Sequence, residues 1–111
     1  MIDLEHLEKY VSGDVALRNE ILSIFSEQAR LLSGQFSDAN SDEAWRNTAH
    51  ALKGASRGVG AWVLGDLCEE AEQMIGAIAG KAEKRAAILV SIRQKVGDAL
   101  TEADRLRAQA A

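Results

Sequence analysis

Apolar residues recur along this chain at spacings of three and four, the period of a helix with one buried face. No stretch shows the strict alternation of a half-buried strand. Five segments follow from that pattern and from the residues that punctuate it. Leu4, Leu7 and Val11 define a short helix over residues 3–11, ended by Ser12-Gly13, with Asp14 placed to cap the next helix. The second helix spans residues 15–35, with Leu17, Ile21, Ile24, Phe25, Gln28 and Leu32 at core spacing. Residues 37–40 read as a loop. Ser41 then caps a third helix over 42–57, whose first turn carries Asp42 and Glu43 where the helix dipole favours acids. Its inward stripe is Trp45, Thr48, Ala49, Leu52 and Ser56. Gly58 and Gly60 turn the chain into a fourth helix over 61–79, which buries Leu64, Leu67, Cys68, Ala71, Ile75 and Ile78 and is closed by Gly80. The last helix starts near Ala82 and turns Ala86, Leu89, Ile92, Val96, Ala99, Ala103 and Leu106 inward. Four long amphipathic helices on short connections predict an all-α fold, an antiparallel up-down four-helix bundle. The short first helix covers one end.

Composition narrows the function without naming it. At 111 residues, 47% hydrophobic and 27% charged, residues 1–111 fit one globular domain with one modest core. A net charge of −4 argues against a dedicated nucleic-acid binder. One cysteine cannot make an intramolecular disulfide, and no apolar run approaches the roughly 18 residues of a membrane span. The first residues have neither the basic region nor the apolar stretch of a signal peptide, so a cytoplasmic domain is expected.

The candidate chemistry centres on His50. Projected around the third helix, it points away from the Trp45/Leu52 stripe. Lys53, Gly54 and Arg57 share its face, and Arg46 lies one turn before it. A solvent-facing imidazole is substantially neutral at pH 7 and its unprotonated nitrogen is nucleophilic. Neighbouring cations would attract a phosphoryl group and spread its charge. Glycine in mid-helix costs about 1 kcal/mol relative to alanine, and Gly54 does not lie on the core stripe. Close approach of another protein beside the imidazole gives it a reason. A metal site fits badly, because no histidine or carboxylate lies three or four residues from His50. A serine hydrolase fits badly as well, since a small helical bundle offers little pocket, and no P-loop is present for ATP.

The run from His50 to Glu72, H-A-L-K-G-A-S-R-G-V-G-A-W-V-L-G-D-L-C-E-E-A-E, resembles the signature of the histidine-containing phosphotransfer (HPt) domains of two-component phosphorelays. His50, Leu52, Lys53, Gly54, Ser56, Gly60, Ala61, Leu64, Leu67, Cys68 and Glu72 carry the match, which covers helices three and four. The resemblance implies a phosphotransfer intermediate rather than a kinase. His50 would be the phosphoacceptor at Nε2, Lys53 and Arg57 would contact the phosphoryl oxygens, Gly54 would leave room for a receiver domain, and Glu72 would orient the ring through its other nitrogen. It implies receiver domains of response regulators or hybrid kinases as partners, a monomer, and no cofactor on this chain, the receiver supplying Mg²⁺. Two positions depart from the family pattern. Arg57 stands where a small residue is common, and Ala71 replaces a leucine or isoleucine. The alternatives are a helical adaptor that binds a receiver or kinase without carrying phosphate, and a kinase dimerisation domain.

The other features have plainer readings. Cys68 lies on the inward stripe and reads as a buried, inert thiol. His6 reads as a surface residue, and Lys81, Lys84 and Arg85 as a solvated cationic face. Val59, Trp62 and Val63 form an apolar cluster at the third turn, part of it available for docking. The tail from Arg105 to Ala111 reads as frayed helix.

Overall fold

Three side chains start the first three helices. Asp3 accepts a hydrogen bond from the His6 backbone N–H (3.1 Å), Asp14 from that of Leu17 (3.0 Å) and Ser41 from that of Ala44 (3.1 Å). Each satisfies a donor that the first helical turn leaves without a partner. The computed structural model describes residues 1–109. It comprises α1 (Leu4–Val11), α2 (Val15–Gln35), α3 (Asp42–Gly58), α4 (Trp62–Glu72) and α5 (Lys81–Ala108), and no strand occurs among the described residues. α3 packs against α2 and α4, α5 packs against α2 and α4, and α1 packs against α2. The result is a rod of 50 × 20 × 18 Å. One core runs its length, from Ile2, Leu7, Val59 and Leu106 to Phe36, Trp45 and Ile88. No helix among the described residues is long and apolar enough to cross a membrane.

The structure departs from the sequence pattern in four places. The first is α4, which ends at Glu72 and not at Ala79. Beyond it the backbone is captured by tertiary partners. The Met74 carbonyl accepts from Arg85, the Gly76 N–H donates to Asp42 (2.8 Å), and the Gly76 carbonyl accepts from Lys81 (3.0 Å). Gly76 adopts φ +80°, a left-handed turn that ends any continuation of the helix, and Gly80 precedes α5 instead of closing α4. Ile75 and Ile78 are half-buried in this turn segment.

The second departure is Arg85, expected in a solvated face and found 2% exposed. Its guanidinium lies 4.6 Å from the centroid of the Trp45 ring. It donates to the carbonyls of Met74 and Asn40 and to the Asp42 carboxylate (2.8 Å). Aliphatic periodicity cannot reveal such a residue, because its burial depends on acceptors contributed by two distant loops.

Third, α2 is rotated by roughly a quarter turn, at 3.6 residues per turn, from the stripe expected of it. Leu22, Phe25, Ser26 and Ala29 are buried, whereas Leu17 and Ile24 are 37% and 50% exposed. Small residues here let neighbouring helices approach, which a count of large apolar side chains overlooks. Ala86 and Leu4 are likewise exposed.

The fourth is the chain end. α5 stays helical through Ala108, with Leu106 buried and Arg107 donating to Ser23 Oγ (2.8 Å). Ala110 and Ala111, included in the expectation of fraying, lie outside the described residues.

The end of the rod nearest α1 is pinned by Asp3. Its N–H donates to the Gly60 carbonyl (3.1 Å), and its carboxylate accepts from the Trp62 indole (2.9 Å), a bond that helps hold its pKa below the usual range. Gly60 has φ +75°, and a Cβ there would lie 2.6 Å from the Asp3 Cβ, so no other residue fits this turn. His6 is half-buried, edge-on to Trp62 and Tyr10 at 4.7 and 5.1 Å between centroids, rather than simply on the surface.

Arg85→Ala should lower the unfolding free energy by about 2–4 kcal/mol, because buried carbonyl acceptors lose their donor and Trp45 loses its cover. A urea titration followed by circular dichroism measures this. Acid should act through Asp42. The Gly76 N–H, then Lys81 and Arg85, hold its carboxyl down from the ordinary 3.8 to about 2. A depressed carboxyl contributes stability in full above its unfolded pKa and loses it as pH falls through the folded value. The urea midpoint should therefore fall between about pH 4 and pH 2, and Asp42→Asn should flatten that part of the profile.

Candidate functional site

Two buried hydrogen bonds shape the seam between α3 and the end of α4, one within α3 and one across to α4. Ser56 is fully buried and returns its hydroxyl to the Leu52 carbonyl (2.7 Å), which keeps this face of α3 thin and satisfied. One end of the seam is held by Trp45, whose indole N–H donates to the Ala71 carbonyl at 2.6 Å. Ala71 is itself fully buried. The next residue, Glu72, is thereby placed beside the middle of α3.

His50 stands on the outer face of α3 with its side chain 72% exposed. Its Nδ1 lies 3.3 Å from Glu72 Oε2, and Glu72 Oε1 lies 2.5 Å from Lys53 Nζ. A carboxylate only accepts, so the His50 contact is a hydrogen bond when Nδ1 carries the proton. In the neutral ring that leaves the Nε2 lone pair unprotonated. Burial pushes the Glu72 carboxyl up, but the hydrogen bonds and charges of Lys53 and His50 outweigh it and hold it below the usual glutamate value. Glu72 is therefore an anion over the physiological range.

Of the residues singled out in the sequence, His50, Lys53 and Glu72 come together directly. Gly54 lies beside them, and a Cβ added to it would meet nothing within 4 Å, so the surface next to His50 is open. Arg57 turns instead to α4, where its guanidinium lies 3.3 Å from both Asp66 and Glu69. Glu69 foremost, then Asp66, raises its pKa against the opposing effect of desolvation. Gly65 makes room for this arm, since a Cβ there would lie 2.8 Å from Arg57 Cγ. The acids on α4 and Gly65 had no local signal in the sequence, because they are paired only across the helix seam. Cys68 is buried and its thiol is pushed up to about 12, by desolvation first and Glu72 second, against Arg57 and Lys53. It is unreactive, as its place on the stripe implies. Of the apolar cluster at the third turn, Val59 is buried, and Trp62 and Val63 are 40% and 52% exposed. Among the described residues, no group of three or more His, Cys, Asp or Glu is placed to hold a metal ion.

This arrangement exposes the His50 ring, sets the Glu72 carboxylate against its Nδ1, and holds Lys53 on the same carboxylate. The family model for the Hpt domain matches residues 4–109. The solved structure of the histidine phosphotransferase ShpA from Caulobacter crescentus is similar to this chain, with a TM-score of 0.76 and 30% sequence identity, over 97% of this chain and 91% of that one. Among curated proteins none matches the chain.

The open space at Gly54 carries a stability prediction. Gly54→Ala should keep the helix and raise the unfolding free energy by about 0.5–1 kcal/mol, because it removes the backbone-entropy cost of mid-helix glycine without meeting a neighbour. Denaturant unfolding of the variant against the parent checks it.

Proposed function

The chain belongs to the Hpt domain family, and from that premise we propose that it carries a phosphoryl group on His50 between receiver domains of a phosphorelay. The observation that supports this reading is the imidazole itself, 72% exposed and held at Nδ1 by Glu72. In the forward step the Nε2 lone pair attacks phosphorus of a receiver aspartyl phosphate. The N–P bond forms as the P–O bond to the aspartyl carboxyl breaks, and the receiver recovers its carboxylate. The ring keeps its Nδ1 proton and becomes a phosphoimidazolium, whose positive charge the Glu72 carboxylate faces. The reverse step on a second receiver passes the group on. Mg²⁺, bound by the receiver, would neutralise charge on the transferring oxygens.

Each neighbouring residue has a part in the proposal. Gly54 admits the receiver backbone. Lys53 reaches the phosphoryl oxygens by leaving Glu72, and Arg57 by leaving Asp66 and Glu69. The carrier is a monomeric antiparallel up-down four-helix bundle, a reading supported by the closed order of contacts α2–α3–α4–α5. Its residence is the cytoplasm, where receivers and kinases meet.

Incubation with a phosphorylated receiver should place acid-labile, alkali-stable label on the protein. His50→Gln should abolish the label with helicity unchanged. Label persisting on that variant, at His6 for instance, would move the site elsewhere, and receiver binding without any label on the parent would make the protein an adaptor. Lys53→Ala should remain labelled but transfer roughly ten- to a hundred-fold more slowly, the value of one charge-assisted contact of about 1.5–3 kcal/mol realised in the transition state. Rapid-quench transfer kinetics measure it.

A further inference from the structure

The cations on the His50 face are not equivalent. Lys53 is held by Glu72, and Arg57 by Asp66 and Glu69. Arg46, one turn before His50 on the same face of α3, is exposed, and its guanidinium makes no ion pair or hydrogen bond among the described residues. Of the two acids one turn earlier, Asp42 is engaged elsewhere and Glu43 makes no ion pair with it among the described residues. Asp42, four residues earlier, already accepts from Gly76, Lys81 and Arg85. Glu72 touches both His50 and Lys53, so Nδ1 and Lys53 share one carboxylate. Residues four apart on a helix have Cβ atoms about 5–6 Å from one another, within the span of an arginine arm.

We propose that Arg46 is the first cation to engage the phosphoryl group on His50, a positioning residue that holds its oxygens. This rests on the phosphoacceptor reading of His50. A phosphoryl group on Nε2 adds up to two negative charges at a place where the other cations must first break an existing ion pair. Arg46 has none to break. Its planar fork can take two phosphoryl oxygens at once, which a lysine cannot do. The role of Lys53 is then chiefly to balance Glu72 until a receiver docks.

The test uses phosphoramidate, which needs no receiver. Nε2 attacks its phosphorus, the P–N bond breaks as the N–P bond to His50 forms, and ammonia leaves with the hydrogens its nitrogen already carries. Phosphorus NMR then follows the second ionisation of the phosphoryl group on His50. A guanidinium beside it favours the dianion, so Arg46→Ala should raise that titration midpoint by about half to one pH unit at low salt. Arg46→Lys should recover part of the shift, and added salt should shrink the difference between parent and Arg46→Ala. Lys53→Ala should move the midpoint less than Arg46→Ala does. Circular dichroism of Arg46→Ala should be unchanged, since the exposed side chain makes no hydrogen bond or ion pair among the described residues. An unmoved midpoint in Arg46→Ala, or a larger shift in Lys53→Ala, would overturn the assignment while leaving His50 as the acceptor. A parent protein that takes no phosphoryl group on His50 from phosphoramidate would overturn both readings together.

Discussion

The hydrogen bond from the Trp45 indole to the Ala71 carbonyl is the contact on which the site depends. It ties an early turn of α3 to the last turn of α4 at 2.6 Å, inside the core. Phe36 packs on one part of that indole at 4.5 Å between centroids, and the Arg85 guanidinium lies 4.6 Å from its centre. An aromatic ring with a satisfied N–H can be fully buried without an orphaned donor. The same side chain therefore gathers α3, α4, α5 and the 36–41 connection around one point. Glu72 follows Ala71 directly, so its carboxylate is placed by a core contact and not by a flexible surface arm.

The seam outward from Trp45 is electrostatic. α3 contributes Lys53 and Arg57, and α4 contributes Glu72, Asp66 and Glu69. The Arg57 pairs are largely exposed, where such contacts add little to stability. Lys53 and Glu72 differ, with side chains only 19% and 14% exposed. Their pairing matters for what it fixes, since it holds in place the carboxylate that lies 3.3 Å from His50 Nδ1.

How far the sequence revealed this follows from how local each signal is. His50 and the cations of its face could be read because they lie on one helix at 3.6-residue spacing. Caps such as Asp14 and Ser41 were legible because capping acts within three residues. The resemblance to a known signature supplied Glu72, which no periodicity links to His50. What stayed hidden was set by contacts between distant segments. Arg85 is buried because Asn40, Asp42 and Met74 converge on it. α4 stops seven residues short of its apolar pattern because Asp42 and Lys81 take the backbone of Gly76. The rotation of α2 hinges on Ser26 and Ala29, whose small size is an asset only against a neighbouring helix.

The early end of α4 makes the choice of an acid at position 72 instructive. Glu72 occupies the last helical position, where the dipole places partial negative charge, and its side chain is mostly buried. Both conditions oppose a carboxylate, yet its pKa lies below the usual value because Lys53 and His50 more than offset them. A neutral amide at this position could accept from Nδ1 without that conflict, but it would leave Lys53 as a partly buried cation with no counter-charge. Lys53 and Glu72 thus form one unit, each making the other tolerable in its place. A positive charge on the imidazole would face an anion that is already ionised and lies 3.3 Å from Nδ1.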